Sequence, residues 1–231
     1  MAVLQHNQRP WLVLVVSAHD VLVGTALKAA LSVPAVDVVQ LRHSSTQPSP
    51  NSTSEFADAM RALPSMGKLL ATPPLYVVNA PPDLPQNTPC LDGRHYPERY
   101  LATLKERQQQ WDGRGFFGVS VHAISSAVTA AALESSYLQV GTMFPTASHP
   151  EKTSVEGPEL MRAVRQALPS TRLIGIGGIT ESNCVDVMRA GANGIAVIRA
   201  ILDADKPDIA ATRLRQALDN ASVQDPSVNV I

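Results

Sequence analysis

Short apolar runs recur along the chain, and between them apolar residues return at every third or fourth position. Eight runs have strand character, over residues 11–18, 36–43, 75–80, 90–96, 116–122, 137–144, 172–179 and 194–201, the fourth being the weakest. Several, such as Leu12-Val13-Leu14-Val15-Val16 and Val36-Asp37-Val38-Val39, are nearly continuous in apolar residues. That is the pattern of parallel strands covered by helices on one face and by a packed interior on the other. Helical periodicity fills residues 21–31, 54–63, 97–110, 125–134, 158–168, 181–190 and 208–220. In 158–168 the apolar face is Leu160, Val164, Ala167 and Leu168, while Arg162, Arg165 and Gln166 take the other side. Strand and helix therefore alternate around the whole chain, which predicts a single-domain (β/α)₈ barrel over residues 1–221 and a fraying tail over 222–231.

Two crossovers depart from the pattern. Pro81-Pro82-Asp83-Leu84-Pro85-Gln86-Asn87 is too short and proline-rich for more than a turn or two. Residues 44–54 are polar and follow the second strand on the face where barrel loops carry function, so they read as a mobile lid or as an insertion with no role.

Composition narrows the partners. With 45% hydrophobic and 17% charged residues, the chain of 231 residues can bury a full core. Its net charge of -1, with no run of Lys or Arg, gives no positive field for nucleic acid. The first apolar run is too short to cross a bilayer and has no cationic region before it, so no membrane association is expected. Cys90 and Cys184 form no metal knuckle or redox pair, and a cytoplasmic location fits. Barrels of this size often pair into homo-oligomers, although no interface can be read from the sequence.

Candidate chemistry clusters at the C-terminal ends of the strands. Ile174-Gly175-Ile176-Gly177-Gly178-Ile179-Thr180 runs from an apolar strand into paired glycines, where the backbone can approach a phosphate. The eighth strand ends at Ile198 and Arg199, and loops after strands seven and eight grip a phosphate in many barrels. Alternatively the glycines mark a tight turn. His122 closes the fifth strand two positions after Ser120, so both share a face near the mouth; His122 is either an acid–base group or a structural histidine. Gln40 and Arg42 share a face of the second strand, with the Arg42 fork suited to carboxylate or phosphate, or to a salt bridge that stiffens the rim. After the sixth strand, Thr142, Thr146, Ser148 and His149 place hydroxyls and an imidazole where a substrate could sit.

These residues resemble a known family. Gln40-Leu41-Arg42, Val77-Val78-Asn79, Asp92-Gly93-Arg94-His95, Gly118-Val119-Ser120-Val121-His122, Gly141-Thr142-Met143-Phe144-Pro145-Thr146, Ile176-Gly177-Gly178-Ile179-Thr180 and Gly194-Ile195-Ala196-Val197-Ile198 are similar, in order, to the thiamine phosphate synthase and thiazole tautomerase superfamily. The match covers nearly all the chain and is more specific from Gly118 onward. It implies a barrel whose ligand is a small thiazole phosphate, with Asn79, Ser120, Thr142, Thr146 and His149 joining the substrate site.

The synthase branch joins a pyrimidine pyrophosphate to a thiazole phosphate with Mg²⁺, usually held by aspartates after strands three and four. Here those segments read Asn79-Ala80-Pro81 and His95-Tyr96-Pro97-Glu98-Arg99-Tyr100, without the carboxylates such an ion needs; Asp83 and Glu98 fall elsewhere. His149 stands where the synthases usually carry a lysine, and Lys152 lies three residues on. The tautomerase branch needs no metal or other cofactor and is thought to use a histidine placed like His122. The resemblance therefore implies a metal-independent isomerase that aromatises a thiazole carboxylate phosphate by a proton shift at His122. In that reading Gly177, Gly178, Ile198 and Arg199 hold the phosphate, and Gln40 or Arg42 the carboxylate. The alternatives are a diverged Mg²⁺-dependent synthase and a catalytically silent regulatory barrel that keeps the phosphate pocket.

Overall fold

The computed structural model describes residues 9–42, 50–68, 70–79, 91–107, 115–146 and 154–224. Eight parallel strands close into a barrel in chain order: β1 Trp11–Val16, β2 Val38–Arg42, β3 Leu75–Asn79, β4 Gly93–Tyr96, β5 Phe117–Val121, β6 Tyr137–Gly141, β7 Leu173–Ile176 and β8 Gly194–Val197. All eight fall within the expected runs and each is shorter than its run. Register is continuous around the circle, from Val13 beside Val38 to Trp11 beside Gly194.

The apolar runs are explained by burial on both faces. One set of strand residues (Trp11, Val13, Val15, Val38, Leu75, Val77, Tyr137, Ile174 and Ala196) packs inside the barrel. The alternate set, including Leu12, Leu14, Val39, Leu41, Val119, Leu138 and Ile195, packs outward against Leu27, Ala127, Met161, Val187 and Leu214 of the helices. At roughly 1.5–3 kcal/mol per fully buried large apolar side chain, this double layer is the main source of stability.

The helices are α1 Ala18–Val23, α2 Thr25–Ala30, α3 Pro50–Ala62, α4 Leu101–Arg107, α5 Ile124–Ala132, α6 Gly157–Ala167, α7 Cys184–Arg189, α8 Arg199–Leu202 and α9 Pro207–Gln224. Several boundaries correct the sequence expectation. The helix expected over 21–31 begins earlier, because Ser17 and Asp20 form a capping box, and it breaks at Gly24, whose φ of 74° is left-handed. The segment expected to be polar loop up to residue 54 is helical from Pro50, a residue whose fixed φ suits the first helical position. Of the expected lid over 44–54, residues 44–49 lie outside the described residues, as does the irregular crossover over 81–87. Strand eight stops at Val197, and Arg199–Leu202 forms a short helix instead. The last helix runs through Gln224, past the expected boundary at 221; 225–231 lie outside the described residues.

A charged clamp closes the N-terminal end of the barrel. Asp37, fully buried, accepts hydrogen bonds from Arg9 Nε at 2.7 Å, the Leu12 amide at 2.8 Å and Arg215 Nη1 at 2.9 Å. Arg215 also donates to the Pro10 carbonyl at 2.7 Å, tying the last helix to the start of the first strand. Beside it, the Arg172 guanidinium lies 4.5 Å from the centroid of the Trp11 ring.

Candidate active site

The opposite end of the barrel is polar inside. Inward positions follow from the register: Arg42, Asn79 and His95 are neighbours across β2, β3 and β4, and Ser120 sits beside Gln139 across β5 and β6. Gln139 Nε2 donates to Gln40 Oε1 at 2.5 Å, and both side chains are buried. Strands β2 and β6 are opposite one another in the closed barrel, so this bond spans its interior. Gln40 therefore lies beneath the mouth with its oxygen committed. Of the two residues expected to meet a carboxylate, Arg42 is the one that remains partly exposed at the rim.

His95 is buried and bonds both ways: its Nε2 is 2.8 Å from Ser120 Oγ and its Nδ1 is 3.1 Å from Tyr137 Oη. Burial in these surroundings pushes its pKa down to about 3, so the ring is neutral at ordinary pH. Ser120 is the partly exposed end of this set.

His122 lies one residue past β5, with 46% of its side chain exposed, and its Nδ1 pairs with the Glu98 carboxylate. Glu98 begins the short 3₁₀ turn Glu98–Tyr100 after β4. The pairing holds the imidazole beside the turn that follows β4, the preceding strand, and engages one of its two nitrogens.

The loops after β6 and β7 pack tightly together. The Met143 amide donates to the Ile176 carbonyl at 2.9 Å, and the Phe144 amide to the Gly177 carbonyl at 3.0 Å. A Cβ on Gly177 would stand 2.4 Å from Thr142 Cγ2, and one on Gly178 would stand 2.4 Å from the Pro145 oxygen. Both glycines have positive φ, 101° and 62°. The pair is thus required by the approach of one loop to the other. Asn183 completes the turn, donating to the Gly178 carbonyl at 3.1 Å and accepting from the Thr180 amide at 2.8 Å. The Glu156 carboxylate accepts the Thr142 amide and anchors the β6 loop from below.

The remaining expected residues are dispersed. Thr142 is buried, Thr146 is partly exposed on the β6 loop, and Ile198 is partly buried against the inner cluster. The Arg199 guanidinium pairs along its own short helix with Asp203, at 3.1 Å, and both side chains are largely exposed. His149 and Lys152 lie outside the described residues. Sequence reasoning missed His95, Tyr137, Gln139 and Glu156 as site residues; the signal for Gln139 was a polar residue at inward spacing from Tyr137 inside an apolar strand.

Donors for a divalent cation are sparse. Among the described residues no cluster of three or more His, Cys, Asp or Glu could hold a metal ion, and Glu98, the carboxylate after β4, is already paired with His122. The described residues do not fit a Mg²⁺ site, which needs one or two carboxylates for the ion. Among them, too, no helix is long and apolar enough to cross a membrane.

Comparison with known proteins places this architecture. Thiamine-phosphate synthase of Haloquadratum walsbyi is 32% identical over 191 residues, covering 82% of this chain and 81% of that protein. The proteins of the same name from Geobacillus kaustophilus and Chloroflexus aurantiacus are 38% and 43% identical over 106 and 103 residues. Those two matches take in 46% and 45% of this chain and span about half of the relatives' length, 48% and 47%. In structure, thiamine phosphate pyrophosphorylase from Pyrococcus furiosus superimposes with a TM-score of 0.73 at 21% identity, over 94% of this chain and 98% of that one. 3-Hexulose-6-phosphate synthase from Salmonella typhimurium shares the fold at a TM-score of 0.64 and 13% identity, over 91% and 99% of the two chains. The names of the relatives favour the synthase over the tautomerase branch expected from the sequence. The family model described as thiamine monophosphate synthase matches residues 12–201, and the chain belongs to that family.

Proposed function

We propose that the protein acts in thiamine biosynthesis as a transferase that binds a thiazole phosphate at the barrel mouth and joins it to a pyrimidine pyrophosphate. The observation that carries this reading is the similarity over 82% of the chain to a protein named thiamine-phosphate synthase. The geometry supports it with a mouth that offers separate partners for two anions. Arg42 presents a guanidinium fork on the side of β2, and the Gly177-Gly178 turn presents close-approaching backbone on the side of β7. Holding both reactants between these groups supplies proximity and orientation, while Asn79 and Ser120 offer polar contacts between them. No step is assigned to a metal, because the described donors do not fit one.

A second reading, the metal-independent tautomerase, is favoured by one specific observation: the pairing of His122 Nδ1 with Glu98. With Nδ1–H donated to the carboxylate, Nε2 is the nitrogen that takes a proton from a thiazole tautomer and returns it. The partly exposed Glu98 here orients the imidazole.

One set of assays separates the two. The protein is incubated with the pyrimidine pyrophosphate and the thiazole phosphate, with and without chelator, and in parallel with the thiazole carboxylate phosphate tautomer. Formation of thiamine phosphate supports the transferase. Aromatisation that survives chelator and falls at least about 100-fold in His122→Ala supports the isomerase. Turnover in neither assay, with thiazole phosphate still bound, leaves the silent barrel as the reading.

A further inference from the structure

Beneath the mouth, side chains from three successive strands form a chain that ends at Ser120. His95 of β4 lies between Tyr137 of β6 and Ser120 of β5, within hydrogen-bond distance of both. Tyr137 is fully buried, its ring stacked near Phe116 and edge-on to Trp11. Room for that ring is made by Gly118, where a Cβ would stand 2.2 Å from Tyr137 Cζ.

A neutral imidazole has one N–H and one lone pair, so the protons can be arranged in two ways. In the first, Ser120 donates to Nε2 and the Nδ1–H donates to Tyr137. The phenolic hydrogen then points into apolar surroundings, with no other acceptor for it among the described residues, and an orphaned buried donor carries its full desolvation cost. In the second, Tyr137 O–H donates to Nδ1, and Nε2–H donates to Ser120 Oγ. Every buried proton then has an acceptor, and the serine's own hydrogen is left for the mouth. Burial favours the uncharged form of both rings, pushing the phenol up and the imidazole down.

We infer that Tyr137 and His95 are positioning residues that turn the Ser120 hydroxyl hydrogen out to the mouth as a donor, so that an acceptor is the ligand atom best received beside β5. The same arrangement removes Ser120 as a nucleophile, because the nitrogen that would take its proton already holds one. The ligand half of this inference rests on the mouth being the substrate site proposed above; the orientation of the relay does not.

The test uses the full chain labelled with ¹⁵N in histidine. In the ligand-free protein at pH 7, His95 is expected as the Nε2–H tautomer, with Nδ1 showing the shift of a nitrogen that accepts a hydrogen bond. In Tyr137→Phe, which keeps the ring and its packing, the Nδ1 resonance should move to that of an unbonded ring nitrogen. An Nδ1–H tautomer in the unmodified protein, or an Nδ1 resonance unmoved by Tyr137→Phe, overturns the relay. Calorimetric titration with thiazole phosphate then addresses the ligand: Ser120→Ala should weaken binding about tenfold. Binding unchanged in Ser120→Ala overturns the donor role. If the unmodified protein binds no thiazole phosphate, the proposed function falls and the spectra alone decide the relay.

Discussion

The two ends of this barrel bury polar groups in opposite ways. At the N-terminal end the groups are ionic: Asp37 accepts from Arg9, Arg215 and the Leu12 amide, and the charges are turned on one another. At the C-terminal end they are neutral, Gln40 with Gln139 and Tyr137 with His95 and Ser120, and the last member is partly exposed. A buried ion pair is costly to break and carries no preference about what lies outside it. A neutral chain is cheaper to bury and passes direction from one bond to the next. The floor therefore ties the fold closed, and the mouth keeps directed polar groups for the proposed ligand.

The contrast can be broken most severely at the floor. Asp37→Ala takes from the nearly buried Arg215 its fully buried counter-charge and leaves it only the half-exposed Asp219, and equilibrium urea unfolding should show a loss of about 3–5 kcal/mol. A loss below about 1 kcal/mol would mean that the clamp is not what closes the circle.

Acid tests the mouth. His95 has a folded pKa of about 3, well below the ordinary 6.5 of the unfolded chain. Between those values the unfolded chain binds a proton that the folded protein does not, so the group's contribution is complete above pH 6.5 and is lost as pH falls toward 3. The slope approaches about 1.4 kcal/mol per pH unit, or roughly 2 kcal/mol between pH 7 and pH 5. Urea midpoints of the protein and of His95→Gln, taken at both pH values, should diverge by this amount, with the variant the less sensitive. Parallel midpoints would place His95 in contact with water.

The smallest effect is expected at the rim. Arg199 and Asp203 are both largely exposed, and Arg199→Ala should change stability by less than about 0.5 kcal/mol. It should also leave thiazole phosphate affinity within about twofold, because its guanidinium is paired with Asp203 along its own helix. A larger drop in affinity would show that Arg199 turns inward when the ligand arrives.

The barrel was legible because each strand is buried on both faces and so writes a continuous apolar run into the sequence. Helix ends were less so: Gly24 breaks a helix whose periodicity runs on either side of it, and Pro50 starts one inside a stretch that is polar by composition. At the site, spacing of two related Ser120 to His122 along β5, and the end of β2 pointed to Arg42; in the barrel Ser120 stands beside Gln139 and Arg42 beside Asn79. Contacts between strands were not legible. Glu98 meets His122 from 24 residues away, and Tyr137 reaches His95 across 42, and neither pairing leaves a local pattern. The paired glycines were noticed for their freedom to approach a ligand, whereas their neighbours in the β6 loop require them in any case.

The glutamine bond across the interior has a consequence for how the mouth comes into being. Its two ends are separated by 99 residues and by half a circuit of staves. An isolated half of the chain, however well its own helices cover its sheet, lacks one of the two amides and has no ceiling over its apolar filling. Only the completed ring brings the two amides together over that filling, so the polar layer is made at closure and cannot be inherited from either half alone.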